Sequence, residues 1–191
     1  MNSKLINVFD FDGTIYDGDS TLDFYKYCLR KNQKLIFYLP RQILGAVKYK
    51  MKIIDKTTFK EEFYSFLLGI DDIDYLVNQF WNENQHKVFS WYKDISSPED
   101  VIISASPEFL LATICKRLDV KLICSLVDKN TGKYDGVNCY GKEKVKRFIQ
   151  AFGEGVKINH FYSDSYSDQP MANIARKAFF VKDKKPSEWE K

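Results

Sequence analysis

The stretch Val8-Phe9-Asp10-Phe11-Asp12-Gly13-Thr14 decides how the chain is read. Leu5, Ile6, Val8 and Phe9 lead into it as a short apolar run, which predicts a buried strand. The run stops on two aspartates two residues apart, and a glycine and a threonine follow at once. Residues i and i+2 of an extended chain point the same way, so this spacing sets the Asp10 and Asp12 carboxylates side by side. Two like charges that close raise each other's pKa unless a cation sits between them. The stretch reads as one half of a metal and phosphate site, and the rest of the chain has to supply the other half.

Outward from this strand the pattern changes twice. Over residues 17–94 strand-like runs vanish and apolar residues recur at helical spacing, as in Leu22, Tyr25 and Leu29 or Phe59, Phe63, Phe66 and Leu67. Pro40, Gly45, Gly69 and the Asp71-Asp72 pair punctuate the region. It predicts about four helices forming a small all-helical cap domain over 17–94. From Val101 strands return. Val101-Ile102-Ile103 runs into Ser104-Ala105-Ser106-Pro107, a buried strand feeding a helix, with Pro107 suited to the first turn. Residues 120–124 predict a strand, 128–136 the turn chemistry of a β-hairpin, and 142–152 a basic amphipathic helix after Gly141. A strand over 156–162 ends in Ser163-Asp164-Ser165, followed by a helix over 168–177 and a short strand over 178–181.

Strands alternating with helices predict an α/β core, Rossmann-like and three-layered with a mainly parallel sheet, built from residues 1–16 and 95–191. Ligands bind such sheets at the carboxyl ends of the strands. Three predicted strands end on polar clusters, at Asp10/Asp12, at Ser104 and at Asp164.

Bulk properties exclude several classes. The 29 basic and 26 acidic residues of the 191 nearly cancel, and no run of lysine or arginine is long enough to track nucleic acid. Cys28, Cys115, Cys124 and Cys139 form no CxxC pair, and His86 and His160 lie far apart, so a zinc site is not expected. Scattered thiols fit a reducing, cytoplasmic setting. The longest apolar run, residues 35–39, is too short to span a bilayer. Residues 34–54 are both apolar and basic, with Arg41, Lys48, Lys50 and Lys52. They read as a cap helix packing its apolar side inward; contact with a membrane surface or a lipid phosphate is the less favoured reading.

The carboxylates carry the chemistry. A lone Asp-x-Asp-Gly is equally a strand-end turn, and a calcium loop is excluded because its sixth and twelfth positions, glycine and glutamate, fall here on Ile15 and Thr21. Asp164-Ser165-Tyr166-Ser167-Asp168 adds a second carboxylate pair after a second buried strand. Four converging carboxylates call for a hard divalent ion, and Mg2+ suits a site that also uses substrate phosphate. Ser104 either donates to a phosphate oxygen, beside the Ala105 backbone N–H, or simply caps a helix. Lys144 follows Gly141 at a helix start, where cations oppose the dipole; a nearby anion would resolve that conflict.

Asp10-Phe11-Asp12-Gly13-Thr14, the strand ending in Ser104, the lysine near Gly141 and Asp164-Ser165-x-x-Asp168 occur in that order. Together they resemble the four motifs of the haloacid dehalogenase (HAD) superfamily. The helical insertion after the first motif resembles the cap of its phosphoserine-phosphatase-like branch (subfamily IB), as does Asn138-Cys139-Tyr140-Gly141-Lys142-Glu143-Lys144-Val145. The resemblance implies a magnesium-dependent phosphomonoesterase that acts on a small phosphorylated metabolite through an aspartyl-phosphate. Asp10 is then the nucleophile, and Asp12 the acid that protonates the leaving alcohol and later activates water. The Asp10 side chain, the Asp12 carbonyl and Asp164 hold Mg2+, with Asp168 reaching it directly or through water. Thr14, Ser104, Ala105 and Lys144 bind the phosphoryl group, with Lys142 the alternative lysine. Members that cleave carbon–halogen bonds lack the acid at Asp12. Asp19 and Lys60 fall where this branch sets substrate specificity. No arginine over 58–68 stands ready for a carboxylate, which argues against phosphoserine. A phosphotransferase or mutase, and a non-catalytic phospholigand-binding protein, are the alternatives on the same fold.

Overall fold

The apolar run at the start of the chain becomes β1 (Leu5–Phe9), an inner strand of a six-stranded sheet in the computed structural model, which describes residues 5–153 and 155–190. The other strands are β2 (Val101–Pro107), β3 (Lys121–Ser125), β4 (Lys157–Ser163), β5 (Ala175–Lys182) and β6 (Lys185–Glu188), and the order is β3-β2-β1-β4-β5-β6. All pairings are parallel except β5 with β6. Val8 and Phe9 register with Val101 and Ile102 on one side and with Phe161 and Tyr162 on the other. The parallel register brings the carboxyl ends of β1, β2 and β4 to one edge, which is how positions far apart in the chain meet.

Five α-helices stand between β1 and β2, where the periodicity predicts about four: α1 (Ser20–Lys31), α2 (Leu39–Lys50), α3 (Lys56–Phe63), α4 (Ile73–Asn84) and α5 (Ser90–Ile95). Asp19, Asp55 and Asp72 cap three of them, each side chain accepting from the backbone N–H three residues on. Three more helices, α6 (Glu108–Arg117), α7 (Lys142–Phe152) and α8 (Gln169–Ile174), connect the later strands. β1 and β2 alternate between two cores. Ile6, Val8, Val101 and Ile103 join Phe148, Phe161 and Met171 on one face. On the other, Phe9 and Ile102 share a single cluster with Leu110, Phe24, Val77, Phe80 and Trp81. The core of the helical insertion is thus continuous with one face of the sheet, and the Trp81 indole N–H donates to the Leu110 carbonyl at 2.7 Å to join them.

Three local expectations change. The hairpin over 128–136 is a loop closed by one bridge, Val127 to Tyr134. The helix after Asp168 stops at Ile174, because pairing of Ala175 and Lys177 with Ile158 and His160 draws those residues into β5. β6 has no apolar alternation; it forms by edge pairing through a tight turn in which Asp183 and Lys184 both take positive φ, 50° and 66°. Among the described residues no helix is long and apolar enough to cross a membrane, and all four cysteines are free and buried.

Candidate active site

Asp10 stands one residue past β1, and its backbone N–H donates to the Tyr162 carbonyl at 2.9 Å, tying the end of β1 to that of β4. Its Oδ1 accepts from Lys144 Nζ at 2.7 Å, and the same ammonium donates to Asp168 Oδ2 at 2.6 Å. All three groups are buried: Lys144 is 2% exposed, Asp168 1% and Asp10 8%. This answers why α7 tolerates a cation in its first turn, since two carboxylates offset the dipole there. Lys142 is exposed and takes no part.

Burial pushes the Asp10 carboxyl up to about 7 against the pull of the Lys144 ammonium. Burial works against the Lys144 charge as well, but Asp10 and Asp168 more than restore it. One ammonium shared by two buried carboxylates leaves the cluster short of positive charge. Asp168 Oδ1 is buried with no hydrogen-bond partner, while Oδ2 also accepts from the Ser163 hydroxyl at 2.8 Å. An orphaned carboxylate oxygen beside a raised carboxyl is the donor chemistry a hard cation suits. No three His, Cys, Asp or Glu side chains among the described residues are grouped so as to hold an ion by themselves. The family resemblance adds the Asp12 backbone carbonyl to the side chains that such an ion would draw on.

Both oxygens of Asp12 are held. Oδ1 accepts from the Ser20 backbone N–H at 2.6 Å, and Oδ2 accepts from the Ser106 hydroxyl. Ser106 Oγ also lies 3.1 Å from Thr21 Oγ1. Burial, and then the negative charge of Asp19, push the Asp12 carboxyl up to about 6. Neither Ser106 nor Thr21 stands out in the sequence reading. The signal for Ser106 was present: it is two residues beyond Ser104 on the same run, and so shares its face. Ser104 is 1% exposed, and its hydroxyl oxygen accepts from the Ser106 N–H at 3.1 Å.

Asp164 and Thr14 form a separate pair. Thr14 Oγ1 accepts from the Asp164 N–H at 3.0 Å and donates to Asp164 Oδ1 at 3.4 Å. Thr14 is fully buried and braces Asp164. Asp164 in turn lies against Gly13. A Cβ on Gly13 would come within 2.1 Å of Asp164 Oδ2, and Gly13 has φ +70°, so glycine is required on both counts.

Asp10, Asp12, Ser104, Ala105, Lys144 and Asp168 line one side of a cavity of about 520 Å³. The insertion lines the other with Asp19, Lys56, Phe59, Lys60 and Phe63. Lys60 Nζ crosses to the sheet, donating to the Ala105 carbonyl at 2.8 Å and to Asn138 Oδ1 at 3.2 Å. Burial, then the neighbouring Lys56 charge, bring its pKa down to about 8. Asp19 is exposed at the rim and accepts from the Leu22 N–H at 2.9 Å as the cap of α1.

Comparison with known proteins bears on the family and the fold. The profile of haloacid dehalogenase-like hydrolases matches residues 8–173. Protein CicA of Caulobacter vibrioides is 29% identical over 201 residues, spanning 91% of this chain and 84% of that protein. A protein of unknown function from Bordetella pertussis Tohama I has a similar structure, with a TM-score of 0.78 at 18% identity over 93% of this chain and 89% of that one. A probable phosphoserine phosphatase from Vibrio cholerae gives a TM-score of 0.65 at 13% identity over 92% of this chain and 55% of that one. The fold is thus the one that phosphoserine-phosphatase-like proteins share. With the ordered motifs, the sheet edge they meet on and a profile match spanning most of its length, the chain belongs to the haloacid dehalogenase-like hydrolase family.

Proposed function

We propose that the protein is a magnesium-dependent phosphomonoesterase of small phosphorylated metabolites. The observation that carries this reading is Asp12, a carboxyl held by two donors at the pocket wall with its pKa pushed up to about 6. A group that gives a proton to a leaving alcohol works best with a pKa near the working pH. Binding alone needs no such donor.

Asp10 lies in the same cavity and attacks phosphorus through a carboxylate oxygen, forming the acyl-phosphate as the P–O bond to the alcohol breaks. Asp12 delivers its proton to that departing oxygen, then takes one from the water that cleaves the acyl-phosphate and releases phosphate. Lys144 holds Asp10 in place and offsets charge on the phosphoryl oxygens, with the Ser104 hydroxyl beside it. By the family resemblance the Asp10 side chain, the Asp12 carbonyl and Asp164 would hold Mg2+, with Asp168, whose Oδ1 has no hydrogen-bond partner, reaching it directly or through water. When bound, that ion neutralises phosphoryl charge and keeps Asp10 ionised. A cavity near 520 Å³ suits a small molecule, and the Phe59 and Phe63 wall accepts an apolar portion of it.

The test is phosphate release from p-nitrophenyl phosphate and a panel of phosphorylated amino acids, sugars, polyols and lipid head groups, with and without Mg2+. Turnover that requires Mg2+ and vanishes in Asp10→Asn, with the thermal transition retained, is expected. No release from any substrate, or activity that survives Asp10→Asn, overturns the reading.

A further inference from the structure

Helix α2 carries its apolar side outward. Of its 12 residues only Gln42 and Gly45 are buried. Gln42 faces the insertion, where its Nε2 donates to the Phe63 carbonyl at 2.8 Å and its Oε1 accepts from the Tyr25 hydroxyl at 2.7 Å. Gly45 backs onto Glu62, whose Cβ would lie 2.7 Å from any Cβ placed there. At the helical repeat, Ile43 and Val47 fall on the opposite side with Leu39 at its edge, and Leu39, Ile43 and Val47 are 38%, 55% and 47% exposed. The apolar exposure continues through Ile36 and Phe37 before the helix and Met51 and Ile53 after it, with Phe37 80% exposed. Polar residues turned in and apolar residues turned out reverse the usual order of a surface helix, and a large apolar patch left on a surface marks an interaction site.

The charged residues of this segment itself have one sign. Residues 32–54 contain Lys34, Arg41, Lys48, Lys50 and Lys52 and no aspartate or glutamate. Arg41 is paired with Glu62, whereas the four lysines form no ion pair among the described residues.

We propose that this face, residues 36–53, docks on an anionic membrane surface, its apolar side chains entering the interface and its lysines meeting lipid phosphates. A 12-residue helix is too short to span a bilayer, so α2 lies in the membrane plane. A second copy of the chain fits the patch less well, because a two-fold contact sets each patch against its own like and faces lysines with lysines. Docking here lies one helix away from the cavity: the exposed Tyr49 stacks on Phe59 with ring centroids 5.0 Å apart, and Phe59 lines the wall. The proposal does not depend on the phosphatase reading.

Co-sedimentation of the full chain with phosphatidylcholine vesicles, with and without phosphatidylglycerol, tests it. Binding to the anionic vesicles alone, weakening as salt rises, is expected. Ile43→Glu with Val47→Glu brings it down to the neutral-vesicle level. Lys48→Gln, Lys50→Gln and Lys52→Gln together lower the partition coefficient about 100-fold, since each lysine near an anionic leaflet contributes roughly five-fold. All five side chains are exposed, and unchanged thermal transitions verify that folding is intact. Three results overturn the proposal: no preference for anionic vesicles, binding unmoved in both variants, or a stable solution dimer that Val47→Glu dissociates.

Discussion

Replacing Lys144 by methionine keeps the buried apolar stem and removes the ammonium that holds Asp10 and Asp168. Two charge-assisted hydrogen bonds, at 2.7 and 2.6 Å, disappear together. Breaking a buried ion pair by deleting one partner costs about 3–5 kcal/mol, because the remaining charge is left uncompensated. Protonation limits that cost: at pH 7.5, putting a proton on a carboxyl of ordinary pKa near 3.9 takes roughly 5 kcal/mol. A loss of about 3–5 kcal/mol in unfolding free energy is therefore expected, a large part of the roughly 5–15 kcal/mol a domain has. Urea unfolding in the presence of a chelator is the assay, so that no divalent ion takes the place of the ammonium. Lys142→Met, at an exposed position of the same helix, is the control and should stay within about 0.5 kcal/mol. The pH dependence follows from linkage. Asp10 stands near 7 with Lys144 in place and moves higher without it. Above about pH 7 the folded variant then binds more protons than folded wild type, so its deficit shrinks as pH falls from 7.5 through 7 and levels off towards 5.5, where both hold the proton. A deficit under about 1 kcal/mol, or one that grows on acidification, would refute the claim that this ammonium alone compensates the pair.

Three further perturbations have defined outcomes. Gly13→Ala forces a left-handed backbone on alanine and pushes Asp164 aside, costing about 1–2 kcal/mol from the backbone alone; calorimetry should show a fall of roughly 3–8 °C, and an unchanged midpoint means the loop relaxes freely. Ser106→Ala removes a donor from Asp12 Oδ2 and should lower kcat about 10- to 100-fold with KM little moved, in line with roughly 1.5–3 kcal/mol for a hydrogen bond to a charged group; a change confined to KM would place Ser106 in substrate binding instead. Lys60→Met tests the partly buried lysine of the insertion through pH. Its folded pKa, about 8, lies below the ordinary value, so between pH 8 and the ordinary lysine range the unfolded chain binds more protons and this group makes wild-type stability rise with pH. The variant should lack that rise in a thermal-shift series, and parallel curves would show that Lys60 titrates normally.

What could be read from the sequence was whatever depends on strand period and order. β1, β2 and β4 each end on the polar cluster expected of them, because a parallel sheet leaves its strand ends on one edge. The Lys144 reading followed from a cation at the wrong end of a helix, and the structure supplies the two carboxylates that make it tenable. Adjacency to Gly13 says nothing of side-chain direction once the chain leaves the strand; here a positive φ intervenes and Thr14 turns toward Asp164. A serine beside a proline at a helix start has an ordinary explanation as a cap, so the local pattern does not single out Ser106. The contact of Lys60 with the Ala105 carbonyl joins two segments that no local pattern connects.

Helix α2 shows a different limit. Periodicity reveals that a helix has an apolar side and does not say which way that side faces. Direction is decided by what the neighbours need. α3 must turn Phe59 and Phe63 toward the cavity and present Glu62 and the Phe63 carbonyl to α2. A surface that offers a carboxylate and a backbone acceptor is met best by Arg41 and Gln42, with a glycine at Gly45 to allow close approach. Once Gln42 and Gly45 are turned inward, with Arg41 reaching Glu62 from an exposed position, the helical repeat leaves Leu39, Ile43 and Val47 no core to enter. The outward apolar face is then a consequence of how the insertion builds its side of the pocket. Its retention beside four unpaired lysines is what a lipid surface, and not a second protein core, would explain.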